Sequence, residues 1–419
     1  MFGKTSTENN ISLSLIPLSP AITGCIRDTT FYDNYNPVVI LVENTLFRVP
    51  ASLLAPDPDV EDYELKPYMK DAFDLFESSG SRPGTSDEHP IVLPPCVDSK
   101  TFREFVKFLS GGIMHEPLFS MVKAIDKSLN HSFMMIRYLS RLGYLGGQFG
   151  LKKFDKWAQS KLQKIFVTST ERLIKSKDEH CNVLTIMDLI NYMQTTNITD
   201  YRNEVLDRVR MVMCGLVVRA YDDPDQSKDL AAHAIIPICV GLYKKKTPLI
   251  NSPHIFGFVF AVVLSLGPHS PLWESELTRE DRRVLYAANS ILMRLCNHTD
   301  LRLGWLLDPT YIHEVVKDCD SCSKSPKVQS LWDRTLGKCN GLNSPYLLED
   351  IHHIVRLPDY RQLFCDGFRT WHCSENCREK LLLYIDFHID RVYCAFTKKY
   401  KHLEESVPRL FAFSPQLRY

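Results

Sequence analysis

Val38-Val39-Ile40-Leu41-Val42, followed by Thr45-Leu46-Phe47-Arg48-Val49, is the stretch whose reading decides the fold. The first run is β-branched and aliphatic throughout, as a strand buried on both faces requires. Glu43-Asn44 supplies the turn, since Asn tolerates positive φ, and the second run returns as the partner strand. Pro50 suits the start of a short helix, where its missing N–H costs nothing; Leu53 and Leu54 give that helix an apolar side. After an acidic loop (Asp57, Asp59, Glu61, Asp62), Pro67 opens a second helix with Met69, Ala72, Phe73 and Phe76 along one face. Ile91-Val92-Leu93 reads as a third short strand, stopped by Pro94-Pro95. Asp98 or Ser99 then caps a helix whose Phe102, Phe105, Val106 and Leu109 recur at helical spacing, ended by Gly111-Gly112.

Outward from this stretch, the chain reads as two domains, because 419 residues exceed one ordinary core. Hydrophobic residues make up 44% and charged residues 24%, values typical of folded globular chains. Fifty basic side chains offset fifty acidic ones. That balance supplies no long-range field for nucleic acid or an acidic membrane, so neither is expected as a partner. Lys244-Lys245-Lys246 is the densest basic run and reads as a solvated turn. The amino terminus lacks the pattern of a secretory signal. The longest apolar run, Ile255 to Leu266, falls short of a membrane span and reads as a buried helix. Thirteen scattered cysteines do not form a disulfide framework and read as reduced thiols, which places the chain in cytoplasm or nucleus.

Residues 1–28 read as a flexible amino-terminal segment, 29–170 as an α+β domain and 171–419 as an all-helical carboxyl domain. Glu77 to Pro90 reads as a flexible surface insertion. Ile136, Leu139, Leu142 and Leu145 precede a glycine-rich helix–helix turn (Gly143, Gly146, Gly147, Gly150), and Leu151, Phe154, Ala158, Leu162 and Ile165 line the next helix. Further helices are predicted around Val183–Met193, Tyr201–Tyr221, Ala231–Tyr243, Ile255–Leu266, Thr278–Cys296 and Arg378–Tyr400. Thr278 is the expected cap of its helix, with Glu280 and Asp281 near the positive end.

Candidate chemistry concentrates in the tail. Cys319-Asp320-Ser321-Cys322 has the spacing that lets two thiolates hold one tetrahedral ion, and Cys373 and Cys377 can close the site. His372, Cys339, Cys365, His352 and His353 are alternates. Buried thiols are the simpler reading of these residues, and no cofactor is expected. His313-Glu314-x-x-Lys317 fails as a metalloprotease motif for want of a second His. Asp386-x-His388-x-Asp390 puts two carboxylates on one helix side, which reads as a solvated edge rather than an acid–base site. Neither a nucleophile elbow nor a phosphate or dinucleotide loop is present in the sequence, and a non-enzymatic role is expected.

The segments quoted first resemble the BTB/POZ domain. Val38 to Val42 with Leu46 to Val49 looks like that family's opening hairpin, Ser52-Leu53-Leu54-Ala55 like the following helix, Phe73 to Phe76 like its next, and Phe102 to Gly111 like the helix after the third strand. Leu139-x-x-Leu142-Gly143 and Leu151 to Leu162 resemble its closing helical pair. Pro50 stands where many members carry a His. Together with Trp371 to Arg378 and the helix that follows, the layout resembles uncharacterised BTB proteins of mushroom-forming fungi. The resemblance implies protein–protein interaction: self-association as a homodimer or binding of protein partners. A second implication is a substrate adaptor on a cullin scaffold of a ubiquitin ligase, with Met114 and Glu116 of Ile113-Met114-His115-Glu116 at the contact. A third is a transcriptional or chromatin-associated regulator, although the neutral charge argues against direct DNA contact.

Overall fold

The computed structural model describes residues 25–32, 37–54, 84–93, 97–111, 116–127, 131–175, 180–196, 199–222, 234–246, 252–307, 310–317, 319, 322, 326–337, 350–369 and 375–412. The chain divides into two compact units, Met1–Pro56 with Glu64–Ser110, and Asp57–Tyr63 with Gly111–Tyr419.

The first unit holds a four-stranded mixed sheet. Its strands are β1 (Ile26–Tyr32), β2 (Pro37–Val42), β3 (Thr45–Pro50) and β4 (Ile91–Val92), in spatial order β1-β3-β2-β4. β2 and β3 form the expected hairpin, with Ile40 opposite Phe47 and Leu41 opposite Leu46. The positive φ of the turn falls on Glu43 (52°) rather than on Asn44. Glu43 is held there by use: its carboxylate accepts from Ser99 N–H at 3.1 Å. α1 (Ala51–Leu54) follows the hairpin, and α2 (Ser99–Gly111) follows β4. Asp98 is the cap of α2, accepting from Thr101 N–H at 2.7 Å. Phe102 of α2 sits edge-on to Phe47 of β3, ring centres 4.9 Å apart, and both are fully buried. β4 runs parallel to β2, pairing Ile91 with Ile40. The helix expected from Pro67 lies outside the described residues.

Two expectations for this unit are corrected. Ile26 to Asp28, placed in a flexible segment, begin β1, which pairs in parallel with β3. Asp28 anchors it: one carboxylate oxygen accepts from Thr30 and Phe31 N–H, both at 2.9 Å, and the other meets Arg103 of α2 at 2.6 Å. Burial pushes this carboxyl up, but the Phe31 amide, Arg103 and the Thr30 amide outweigh it, and the net shift is downward. The insertion is also pinned where it is described. Gly84 (φ 84°) accepts from Val39 N–H at 2.7 Å, and Asp87 gathers Arg27, Arg48 and the Tyr32 hydroxyl.

Every regular element among the described residues of the second unit is a helix. It runs α3 (Glu116–Asp126), α4 (Phe133–Gln148), α5 (Lys152–Lys175), α6 (Val183–Thr195), α7 (Thr199–Asp222), α8 (Ile235–Lys245), α9 (Pro253–Ser265), α10 (Pro271–Glu276) and α11 (Arg279–Ile291). After two short 3₁₀ turns come α12 (Gly304–Leu307), α13 (Thr310–Val316), α14 (Pro326–Arg334), α15 (Ile351–Val355), α16 (Leu357–Arg369) and α17 (Glu375–Ala412). The expected boundary near residue 170 moves to Ser110/Gly111, because α4 and α5 pack against α6 and α7. Gly143 and Gly146 lie inside α4 rather than in a turn; a Cβ on either would stand 2.3 Å from the Tyr192 ring or 2.5 Å from that of Phe154. The reversal is made at Gly150, φ 73°. α9 is buried from Ile255 to Ser265, as its sequence predicts, and its chief neighbour is α17. Thr278 closes a reciprocal capping box with Asp281. Asp281 also binds Lys246 at 2.9 Å while the ammonium lies over the Tyr243 and Tyr400 rings, so the Lys246 end of the basic run is half-buried and paired rather than a solvated turn.

Candidate metal centre

Cys319 follows the last turn of α13, and its N–H donates to Val316 carbonyl at 3.0 Å. Cys322 N–H then donates to Cys319 carbonyl at 3.0 Å, which ties the two cysteine backbones together. Cys377 lies in the first turn of α17. α13 packs on α17, and that contact brings the third thiol to the pair: the three Sγ atoms all lie within 4.8 Å of one another. Cys322 and Cys377 are 2% and 6% exposed and belong to the hydrophobic core, with Cys319 packed against it.

Three of the four cysteines singled out by spacing thus meet in one place, and Cys373 lies outside the described residues. The alternates Cys339 and His372 do too. His352 and His353 belong to α15 and take other partners: His353 meets the Tyr360 hydroxyl at 2.9 Å, and His352 sits edge-on to Tyr221. Chemically, the trio is an all-sulfur set on a turn and a helix start, suited to a thiophilic cation.

The carboxylates of Asp386 and Asp390 are not a solvated edge. Arg361 of α16 grips Asp386 through two hydrogen bonds of 2.8 and 2.7 Å. Arg210 of α7, 3% exposed, pairs with Asp390 and, at 3.0 Å, with Asp207. Burial, followed by the neighbouring Asp390 and Asp386 charges, pushes the Asp207 carboxyl up against the pull of Arg210. His254, at the start of α9, feels the same cluster. Burial pushes its imidazole down to about 4, with Arg210 adding to the shift, and its buried Nε2 has no hydrogen-bond partner among the described residues. His388 is stacked on Trp305, 5.4 Å between ring centres. With each carboxylate held by a guanidinium, the network fastens α7 and α16 to α17. Arg210 and His254 escaped sequence reading because neither lies in a motif; only packing makes one a charged group in a core and the other an imidazole held neutral beside it.

Of the docking candidates, Met114 lies outside the described residues, and Glu116 opens α3. One turn on, Phe119 is 42% exposed with Lys123 over its ring, a surface aromatic that the sequence reading passed over. Among the described residues no helix is long and apolar enough to cross a membrane. Comparison of the chain with models of protein families, with curated proteins and with solved structures returns no match.

Proposed function

We propose that this chain is a protein-association module, in which a BTB/POZ-like amino-terminal unit forms a homodimer and the helical unit carries the partner-specific surface. The observation that supports it is the sheet: an antiparallel β2–β3 hairpin extended by a parallel β4, with α2 packed on it through Phe47 and Phe102. That order of elements is the one the resemblance implies.

The sheet edges favour one route of association over another. Asp28 occupies the Thr30 and Phe31 amides, which breaks the regular row of donors along β1, and β4 is only two residues long. Strand addition is therefore disfavoured, and contact runs through side chains. In the described part of this unit, the exposed large apolar residues are Ile26 at 69% and Val92 at 49%. Light scattering on the full chain at tens of micromolar should report twice the monomer mass, and Ile26→Lys with Val92→Lys should return it to monomer. A wild-type chain that stays monomeric under these conditions removes self-association.

Phe119 favours a second reading, the substrate adaptor of a cullin-based ubiquitin ligase, because an exposed aromatic three residues after Glu116 suits a docking contact. Co-purification with a cullin should then fall in Phe119→Ala and in Met114→Ala plus Glu116→Ala. Undiminished recovery of the complex removes these residues from the contact.

A further inference from the structure

We infer that Cys319, Cys322 and Cys377 bind one Zn(II) ion as a structural centre that staples the segment after α13 to the first turn of α17. The inference is independent of the association reading and rests on the second unit alone.

Distance is the first argument. Zinc–thiolate bonds of about 2.3 Å around a tetrahedron put sulfurs about 3.8 Å apart. The three Sγ atoms lie within 4.8 Å of one another, so side-chain adjustment of about 1 Å or less brings three corners of the tetrahedron into place. The turn is the second. The hydrogen bond from Cys322 N–H to Cys319 carbonyl at 3.0 Å ties the two cysteine backbones together, as chelation by both thiols requires.

Chemistry supplies the rest. All three donors are sulfur, which suits a borderline-soft d¹⁰ ion and disfavours Mg(II) or Ca(II), whose ligands are oxygens. A disulfide pairs only two of the three sulfurs and leaves the third buried beside it. Binding the ion deprotonates the thiols, and the divalent cation offsets most of the thiolate charge that a core would otherwise exclude. The net negative charge that remains sits at the start of α17, a helix of 38 residues, where the amide dipoles are positive.

The test uses the full chain purified under reducing conditions. Elemental analysis should give one zinc per chain, falling to background in Cys319→Ser, Cys322→Ser and Cys377→Ser, whereas Cys25→Ser in the first unit keeps it. Because a serine variant can fail to fold, chelation of the wild-type protein is the companion measurement. Stripping zinc should lower its melting temperature by about 5–10 °C, and added Zn(II) should restore it. A Cys377→His variant, which keeps a nitrogen ligand, should retain zinc. Protein that holds no zinc after loading, zinc that survives in all three serine variants, or a disulfide within the trio in the reduced chain would each overturn the inference.

Discussion

Gly257→Ala is the perturbation that most sharply probes the helical unit. A Cβ built at Gly257 of α9 stands 1.9 Å from the Tyr393 carbonyl oxygen and 2.6 Å from its carbon. Both are backbone atoms of α17, so no rotamer change relieves the clash. Reaching even a tight contact near 3.2 Å requires the two helices to part by roughly 1 Å, a gap that forfeits a quarter to a half of each dispersion contact across it. Those contacts are the aromatic seam: Phe258 on Tyr393 at 5.6 Å, Phe256 on Tyr400 at 4.9 Å and Phe260 on Tyr400 at 5.3 Å between ring centres. The substitution recovers about 1 kcal/mol of helix propensity. Overpacking costs 1–3 kcal/mol at a deformable site and more against backbone, so a net loss of about 3 kcal/mol is expected. Urea unfolding followed by tryptophan fluorescence is the assay, because Trp157, Trp273, Trp305, Trp332 and Trp371 all belong to the second unit. Gly304→Ala is the control, since its added methyl meets nothing within 4 Å. A Gly257→Ala protein as stable as wild type would refute the close backbone approach of α9 to α17.

Two further outcomes follow from charges. His254 is harder to protonate folded, at about 4, than unfolded, near its ordinary 6.5. Its contribution is therefore intact above pH 6.5 and is lost as pH falls from there toward 4, up to about 3 kcal/mol. His254→Gln should flatten that part of the stability–pH curve in urea titrations, and an unchanged slope would contradict the buried imidazole. Asp28→Asn keeps an acceptor for the Thr30 and Phe31 amides but drops the charge facing Arg103. It should destabilise the first unit by about 1–2 kcal/mol at neutral pH, given that Arg103 is partly exposed. Because the folded carboxyl is shifted down, the deficit should vanish as acid protonates Asp28 in the wild type; a deficit independent of pH would count against the ion pair.

What could be read from residue order depended on whether the signal was local. The hairpin, α2 and most helices of the second unit announce themselves by apolar period, and α9 by its unbroken apolar run. β1 did not, because six of its seven residues are exposed or only half-buried and its anchors, Asp87 and Arg103, lie far along the chain. The glycines of α4 looked like a turn because their need for close approach to Tyr192 and Phe154 is tertiary. The metal candidate was half legible. Cys319 and Cys322 share a spacing signature, whereas Cys377 joins them only through the packing of α13 on α17. The ionic network was read as a solvated edge because the partners of Asp386 and Asp390, Arg361 and Arg210, reside on other helices.

The reliance of α9 on α17 has a consequence for synthesis. Thr397 of α17 donates to the Pro253 carbonyl across 144 residues of chain. At about 5–20 residues per second, a ribosome takes about 7–30 s to deliver the later partner after the earlier one. Through that interval, Phe256, Phe258 and Phe260 have no seam to enter. The nascent helical unit is thus a natural client for chaperones, and ribosome-bound intermediates stalled before residue 375 should cross-link to them more strongly than the released chain does.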